Sequence, residues 1–220
     1  MNFRTILILG ALSAFGPLAI DFYLPAFPAM AAAFGTDEQH VQLTLAAYFL
    51  GLSIGQLAYG PVADRFGRRI PLLIGVGLFT LASLVCAFAP SLDWLIAARF
   101  VQALGGCAGM VISRAVVSDK CDAVGSAKVF SQLMLVMGLA PILAPMLGGL
   151  LVNTTGWQSI FLALTGFSAL AALAVALGLP ESMPEHLPRQ PLSGALHQYG
   201  RLFKDPIFLG HALTGGIAIA

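Results

Sequence analysis

The chain has 220 residues, a formal net charge of +1 and only 10% charged residues against 58% hydrophobic ones. Soluble domains carry about 25% charged residues, so this composition belongs to a protein embedded in lipid. A near-neutral balance without basic runs interleaved with aromatics excludes a nucleic-acid partner.

A hydrocarbon core of about 30 Å is crossed by about 20 helical residues. Six apolar runs meet that length: 5–33, 42–62, 70–89, 94–117, 129–152 and 159–179. The first follows Arg4 and outlasts the apolar region of a signal peptide, so it is read as a retained signal-anchor helix. A seventh run starts at Ile207 and is cut at Ala220, about 21 Å of helix. The expectation is an all-α polytopic membrane protein. It divides into a six-helix bundle (1–180), a linker (181–205) and the start of a seventh helix (206–220), the front part of a longer chain. In the linker, Leu192, Leu196, Tyr199, Leu202 and Phe203 recur at helical spacing opposite Arg201 and Lys204, which predicts an amphipathic interfacial helix. Cys86, Cys107 and Cys121 lack metal-ligand spacing and are read as packing residues; no metal or cofactor is expected.

Apart from Arg99, every Lys and Arg falls at alternate span ends, and so on one side of the membrane: Arg4, Arg65, Arg68, Arg69, Arg114, Lys120, Lys128, Arg189, Arg201 and Lys204. The opposite connections carry none. The positive-inside rule then places the N-terminus and the charged stretch GPVADRFGRR (60–69) in the cytoplasm, with Trp94 and Trp157 at outer ends, where interfacial tryptophans are expected.

Two ionisable side chains lie well inside spans, Asp21 and Arg99. Charges in lipid cost several kcal/mol, so both should face protein or a water-filled cavity. Asp21 lies about 24 Å from the inner start of the first span and Arg99 about 8 Å from the outer start of the fourth, which puts them at similar depth. That depth motivates a direct or water-mediated pair acting as a proton-linked switch, since Arg stays charged while a buried Asp can titrate. The alternative is that Arg99 only fastens helices and Asp21 balances its charge. Pro17 and Pro25 flank Asp21 at four residues on each side and predict a bent or loosened helix there.

Small residues mark seams for close helix contact: Ala47, Gly51 and Gly55 in the second span, Gly105 and Gly109 in the fourth. In the fifth, Gly138, Pro141, Pro145, Gly148 and Gly149 fall on or near one face and predict a kinked helix with a smooth side.

These residues resemble the major facilitator superfamily. Gly60, Asp64, Arg65, Gly67, Arg68 and Arg69 are similar to its signature between the second and third helices. Arg99, Gln102 and Gly105 resemble its fourth-helix motif, with Ala103 where Gly is usual. GLAPILAPMLGG (138–149) resembles the fifth-helix motif of twelve-helix drug:proton antiporters, with Ala144 at a usual Gly position. DFYLPAFP, SRAVVSD, TGWQSIF and LPES are similar to the Bcr/CflA drug-resistance exporters.

The resemblance implies a six-helix N-terminal bundle of two inverted three-helix repeats in a bacterial inner membrane. A second six-helix bundle, absent from this chain, would complete it. It implies proton-driven export of small lipophilic drug-like compounds by alternating access, with no cofactor beyond the proton gradient. Asp21 is then the proton-coupling candidate with Arg99 as its modulator. A second acid is missing from the first helix, where Ser13 or Pro17 stands instead. Asp64 would accept from the start of a helix in the second bundle and latch the halves, Arg68 would meet Asp119, and Arg65 and Arg69 would mainly enforce topology. Tyr23, Tyr48 and Gln56 are candidate cavity walls. A proton- or sodium-coupled importer would share the bundle and signature. A membrane enzyme would need a catalytic cluster inside the spans, which the histidines, three in loops and His211 isolated, do not supply.

Overall fold

Proline positions divide the first span. A proline leaves the carbonyl four residues earlier without its helical donor, which singles out Ser13 for Pro17 and Asp21 for Pro25. The computed structural model describes residues 1–183 and 206–219. In it α1 covers Phe3–Ser13 and α2 covers Phe15–Asp21, followed by a 3₁₀ turn at Leu24–Ala26 and α3 at Phe27–Phe34. Both α1 and α2 end on the residue whose carbonyl loses its donor, as the sequence predicts for the stretch around Asp21.

The remaining helices are α4 (Glu38–Phe66), α5 (Arg69–Ala87), α6 (Leu92–Lys120), α7 (Ala123–Thr155), α8 (Gln158–Gly178) and α9 (Pro206–Ile219). With α1 to α3 forming one span, six helices among the described residues are long and apolar enough to cross a membrane. Several run past the apolar windows because polar caps extend them: Asp37, Ser91 and Asp122 each accept a hydrogen bond from the backbone N–H three residues on. The amphipathic helix expected in the linker, from Leu192 to Lys204, lies outside the described residues.

The packing is internally symmetric. Span four (α6) packs on spans two (α4) and three (α5), span three also on span six (α8), and span one on spans five (α7) and six. Exchanging spans one, two and three for four, five and six maps two–four onto five–one, three–four onto six–one, and three–six onto itself. Two three-helix repeats in inverted arrangement produce this pattern.

Glycines set the closest approaches. A methyl group on Gly51 would lie 2.5 Å from the Phe100 carbonyl oxygen and 2.9 Å from the Ala103 Cβ. Gly55 meets the Cys107 Sγ in the same way, at 2.7 Å, so the seam joins α4 to α6. Gly51→Ala is expected to destabilise the fold by about 1–3 kcal/mol, the usual cost of overpacking. Gly77→Ala, with nothing within 4 Å of the added methyl, should be neutral or stabilising. Reversible unfolding in mild detergent distinguishes the two.

α7 stays helical through Pro141 and Pro145, but its expected smooth face is divided. Ala144 and Gly148 are buried, Gly148 against the Phe22 backbone, while Gly138 and Pro141 are exposed. The tryptophans also part company. Trp94 is 54% exposed at its span end, whereas Trp157 is buried between Phe34 and Phe161, with ring centroids at 5.4 and 6.2 Å. Trp157 keeps its place at the start of α8, but its ring is packed against protein and not exposed as that of Trp94 is.

Candidate functional site

α6 carries a cation into the middle of the bundle. Arg99 is fully buried, and its guanidinium lies between aromatic faces, 4.1 Å from the Tyr48 centroid and 4.5 Å from that of Tyr23. Nη1 donates to Gln102 Oε1 at 2.6 Å, and Nη2 donates to the Ala19 carbonyl of α2 at 3.0 Å. Gln102 in turn donates to Ser83 Oγ at 2.7 Å, and Ser83 to the Phe79 carbonyl at 2.7 Å. The fourth-helix motif thereby acquires a division of labour. Arg99 grips span one, Gln102 relays the grip to span three, and Gly105 lets α5 approach so closely that a methyl there would lie 2.6 Å from the Gly75 carbonyl oxygen.

The direct Asp21–Arg99 ion pair is not formed. Among the described residues Arg99 has no carboxylate within salt-bridge distance, and it meets the first span through a backbone carbonyl two residues before Asp21. The reason is geometric: the Tyr23 and Tyr48 rings sandwich the guanidinium and aim its donors at Ala19 and Gln102. A buried guanidinium without an anion relies on ring faces and neutral acceptors in its place.

Tyr23 and Tyr48 are likewise corrected as cavity walls. Both are fully buried within this bundle alone. Tyr23 Oη lies 2.6 Å from Thr44 Oγ1, and since Thr44 donates its proton to the Val41 carbonyl at 2.6 Å, Tyr23 is the donor to Thr44. Their rings serve Arg99, not an open cavity.

Gln56 does face an opening. A cavity of about 420 Å³ is walled by spans one, two, four and five, including Pro17, Asp21, Ser53, Gln56, Met110 and Pro141. Asp21 is the one ionisable residue of its lining. It stands at the end of α2, where Pro25 breaks the helix, so the carboxylate is both half-buried and placed at a backbone joint. Such a wall of apolar groups with a single charge and two polar side chains suits a small lipophilic guest with one polar anchor.

At the basic ends of the spans a second network forms. The expected loop shrinks to Gly67 and Arg68, because α4 continues through Gly60 and Pro61 to Phe66 and α5 begins at Arg69. Arg68 is buried, donating through Nε to Asp119 Oδ2 at 3.0 Å and through Nη1 to Asp64. The predicted Arg68–Asp119 contact is thus brought together. Arg69 donates to the Ala176 carbonyl at the end of α8 at 2.6 Å, a last-turn contact that favours a cation, so it ties helices together beyond any part in topology.

Sequence reasoning missed Glu181. Its carboxylate accepts from the backbone N–H of Arg68 at 2.9 Å and of Arg69 at 3.1 Å, holding an anion at the N-terminus of α5. This is the type of contact expected of Asp64, made here within the bundle by another residue. Gly67 at φ 88 permits it, since a Cβ there would lie 2.6 Å from Glu181 Oε2. The LPES sequence after the sixth span was its only signal. Burial pushes the Glu181 pKa up, but hydrogen bonds from the Met183, Arg68, Arg69 and Ser182 amides outweigh it and hold it below the usual 4.5. A lowered folded value means that the contact contributes fully above the ordinary pKa and is lost as pH falls through the depressed one.

Comparison with known proteins fits this architecture. Residues 7–220 match the model of the Major Facilitator Superfamily. The chain is 44% identical over 213 residues to an uncharacterised MFS-type transporter of Bacillus subtilis, covering 95% of this chain and 53% of the relative. It is 35% identical over 219 residues to multidrug resistance protein D of Escherichia coli (99% and 55%). It is 38% identical over 181 residues to a bicyclomycin resistance protein homolog of Haemophilus influenzae (82% and 46%). Among solved structures, an MFS proton:xylose symporter superposes with TM-score 0.72 at 16% identity, covering 82% of this chain and 45% of that one; at that identity the likeness concerns the fold alone. The chain spans about half the length of the curated relatives it matches. It fits the six-helix N-terminal half of the superfamily's transporters, which are not enzymes. The chain belongs to the Major Facilitator Superfamily, among its relatives of the bicyclomycin and chloramphenicol resistance type.

Proposed function

We propose that the chain forms one bundle of a proton-driven exporter of small lipophilic compounds, working by alternating access against a second bundle. The cavity holding Asp21 as its one ionisable residue carries this proposal. The names of the drug-resistance relatives support export of drug-like molecules over import, and no cofactor beyond the proton gradient is called for. Basic residues gathered at one set of span ends support a cytoplasmic N-terminus in a bacterial inner membrane.

In this proposal Asp21 takes up and releases the proton. Its position at the end of α2, next to the Ala19 carbonyl that Arg99 holds, ties its protonation to the packing of spans three and four. The test uses the full transporter in inverted membrane vesicles. A pH gradient is expected to drive uptake of a lipophilic drug, and Asp21→Asn is expected to reduce gradient-driven uptake at least tenfold while leaving the protein inserted. Gradient-driven uptake that survives Asp21→Asn would remove Asp21 from proton coupling. Uptake that appears only in right-side-out vesicles would favour an importer.

A further inference from the structure

α4 borders an opening on each of two opposite faces. Phe49, Ser53 and Gln56, spaced i, i+4, i+7, look into the cavity with Asp21. Ala58, Val62 and Arg65 have the same spacing and, at about 100° per residue, lie on the opposite side of the helix. On that side α4 and α5 enclose an open groove of about 470 Å³ whose walls include Ala58, Val62, Phe66, Ile70 and Ile74. Phe66, Ile70 and Ile74 remain more than half exposed.

The groove has direction. Along α4 it runs from Gly55 to Phe66, about 17 Å of helix, close to half the hydrocarbon thickness and so the depth of one leaflet. Its walls are apolar throughout, with the Tyr59 phenol as the sole titratable group. At its end, where the spans carry their basic residues, the Arg65 guanidinium lies 5.4 Å from the Phe66 ring centroid. Arg65 is exposed, and among the described residues it has no carboxylate partner. The adjacent acid, Asp64, is already engaged with Arg68, and Glu181 accepts the backbone amides of Arg68 and Arg69.

We propose that this groove seats an acyl chain of an anionic glycerophospholipid, whose phosphate is held by Arg65. Its walls offer water almost no polar partners, so water is a poor occupant. A lipid combines the two required chemistries, a hydrocarbon tail for the walls and an anion for the unpaired cation at the mouth. The proposal rests on membrane embedding and on this geometry, and is independent of what the cavity on the other face carries.

The test uses the full transporter, delipidated in mild detergent and titrated with phosphatidylglycerol or phosphatidylethanolamine, with bound lipid counted by native mass spectrometry. Phosphatidylglycerol is expected to be retained better than phosphatidylethanolamine. Arg65→Gln should weaken phosphatidylglycerol retention about fivefold, the factor expected of one basic side chain near an anionic headgroup. Ala58→Leu, which fills the groove without touching the charge, should weaken retention of both lipids. Equal retention of the two lipids by the unaltered protein, or retention of phosphatidylglycerol unaffected by Arg65→Gln, overturns the proposal. Displacement by inorganic phosphate together with indifference to Ala58→Leu would show a free-anion site in place of a lipid seat, and overturns it equally.

Discussion

Arg99→Lys is expected to destabilise the folded transporter more than Arg99→Met, by about 2 kcal/mol in reversible unfolding at neutral pH. Ordinary conservation of charge would predict the reverse order. Methionine discards the donors to Gln102 and Ala19, but it also removes a buried cation that lacks a carboxylate, and the relieved desolvation offsets much of the loss. Lysine keeps the charge buried and gives up what made burial tolerable: a flat guanidinium stacked between Tyr23 and Tyr48, with two donors aimed in fixed directions. In the proposed exporter both substitutions should reduce gradient-driven transport at least a hundredfold, since either severs span one from the Gln102–Ser83 relay. A lysine variant as stable as wild type would show that the position requires only a positive charge.

The second large effect is expected at the basic ends. Arg68→Ala strips Asp119, whose side chain is only 11% exposed, of its cation, and should cost about 2–3 kcal/mol. Asp119→Asn alone should cost less, because Asp64 still pairs with Arg68 and its exposed carboxylate adds little. In the double variant most of the Arg68→Ala penalty should vanish, since the only carboxylate left without its cation is that of Asp64, which is 56% exposed and solvated. A double-mutant cycle of thermal unfolding reads the coupling directly. Strict additivity would mean that the two side chains do not support each other.

What the sequence could disclose follows from which signals survive in lipid. The spans and the break at Asp21 rest on chain length and on a missing backbone donor, so they were legible; the caps that lengthen α4, α6 and α7 and the second break at Ser13 were not anticipated. The Arg68–Asp119 contact was anticipated through the family resemblance of the charged stretch and is formed. Helix rotation was not legible. In a soluble bundle the polar face marks the outside, but here Leu135, Ile142 and Leu150 face outward while Leu133 and Ala144 face inward, and composition does not tell them apart. Tyr23 and Tyr48 were accordingly expected at a cavity and found against Arg99. Glu181 escaped because its partners are backbone amides more than a hundred residues away, which no side-chain pattern announces.

The interrupted first span has a mechanical meaning. Phe15–Asp21 is a rod of seven residues, about 10 Å long, jointed at both ends and clamped near its centre by a single guanidinium on the Ala19 carbonyl. Its first residue, Phe15, is buried with its ring 4.7 Å from that of Phe79, so the end of the rod with room around it is the tip, where Asp21 lines the cavity. A displacement at that tip would carry one turn of helix and one carboxylate.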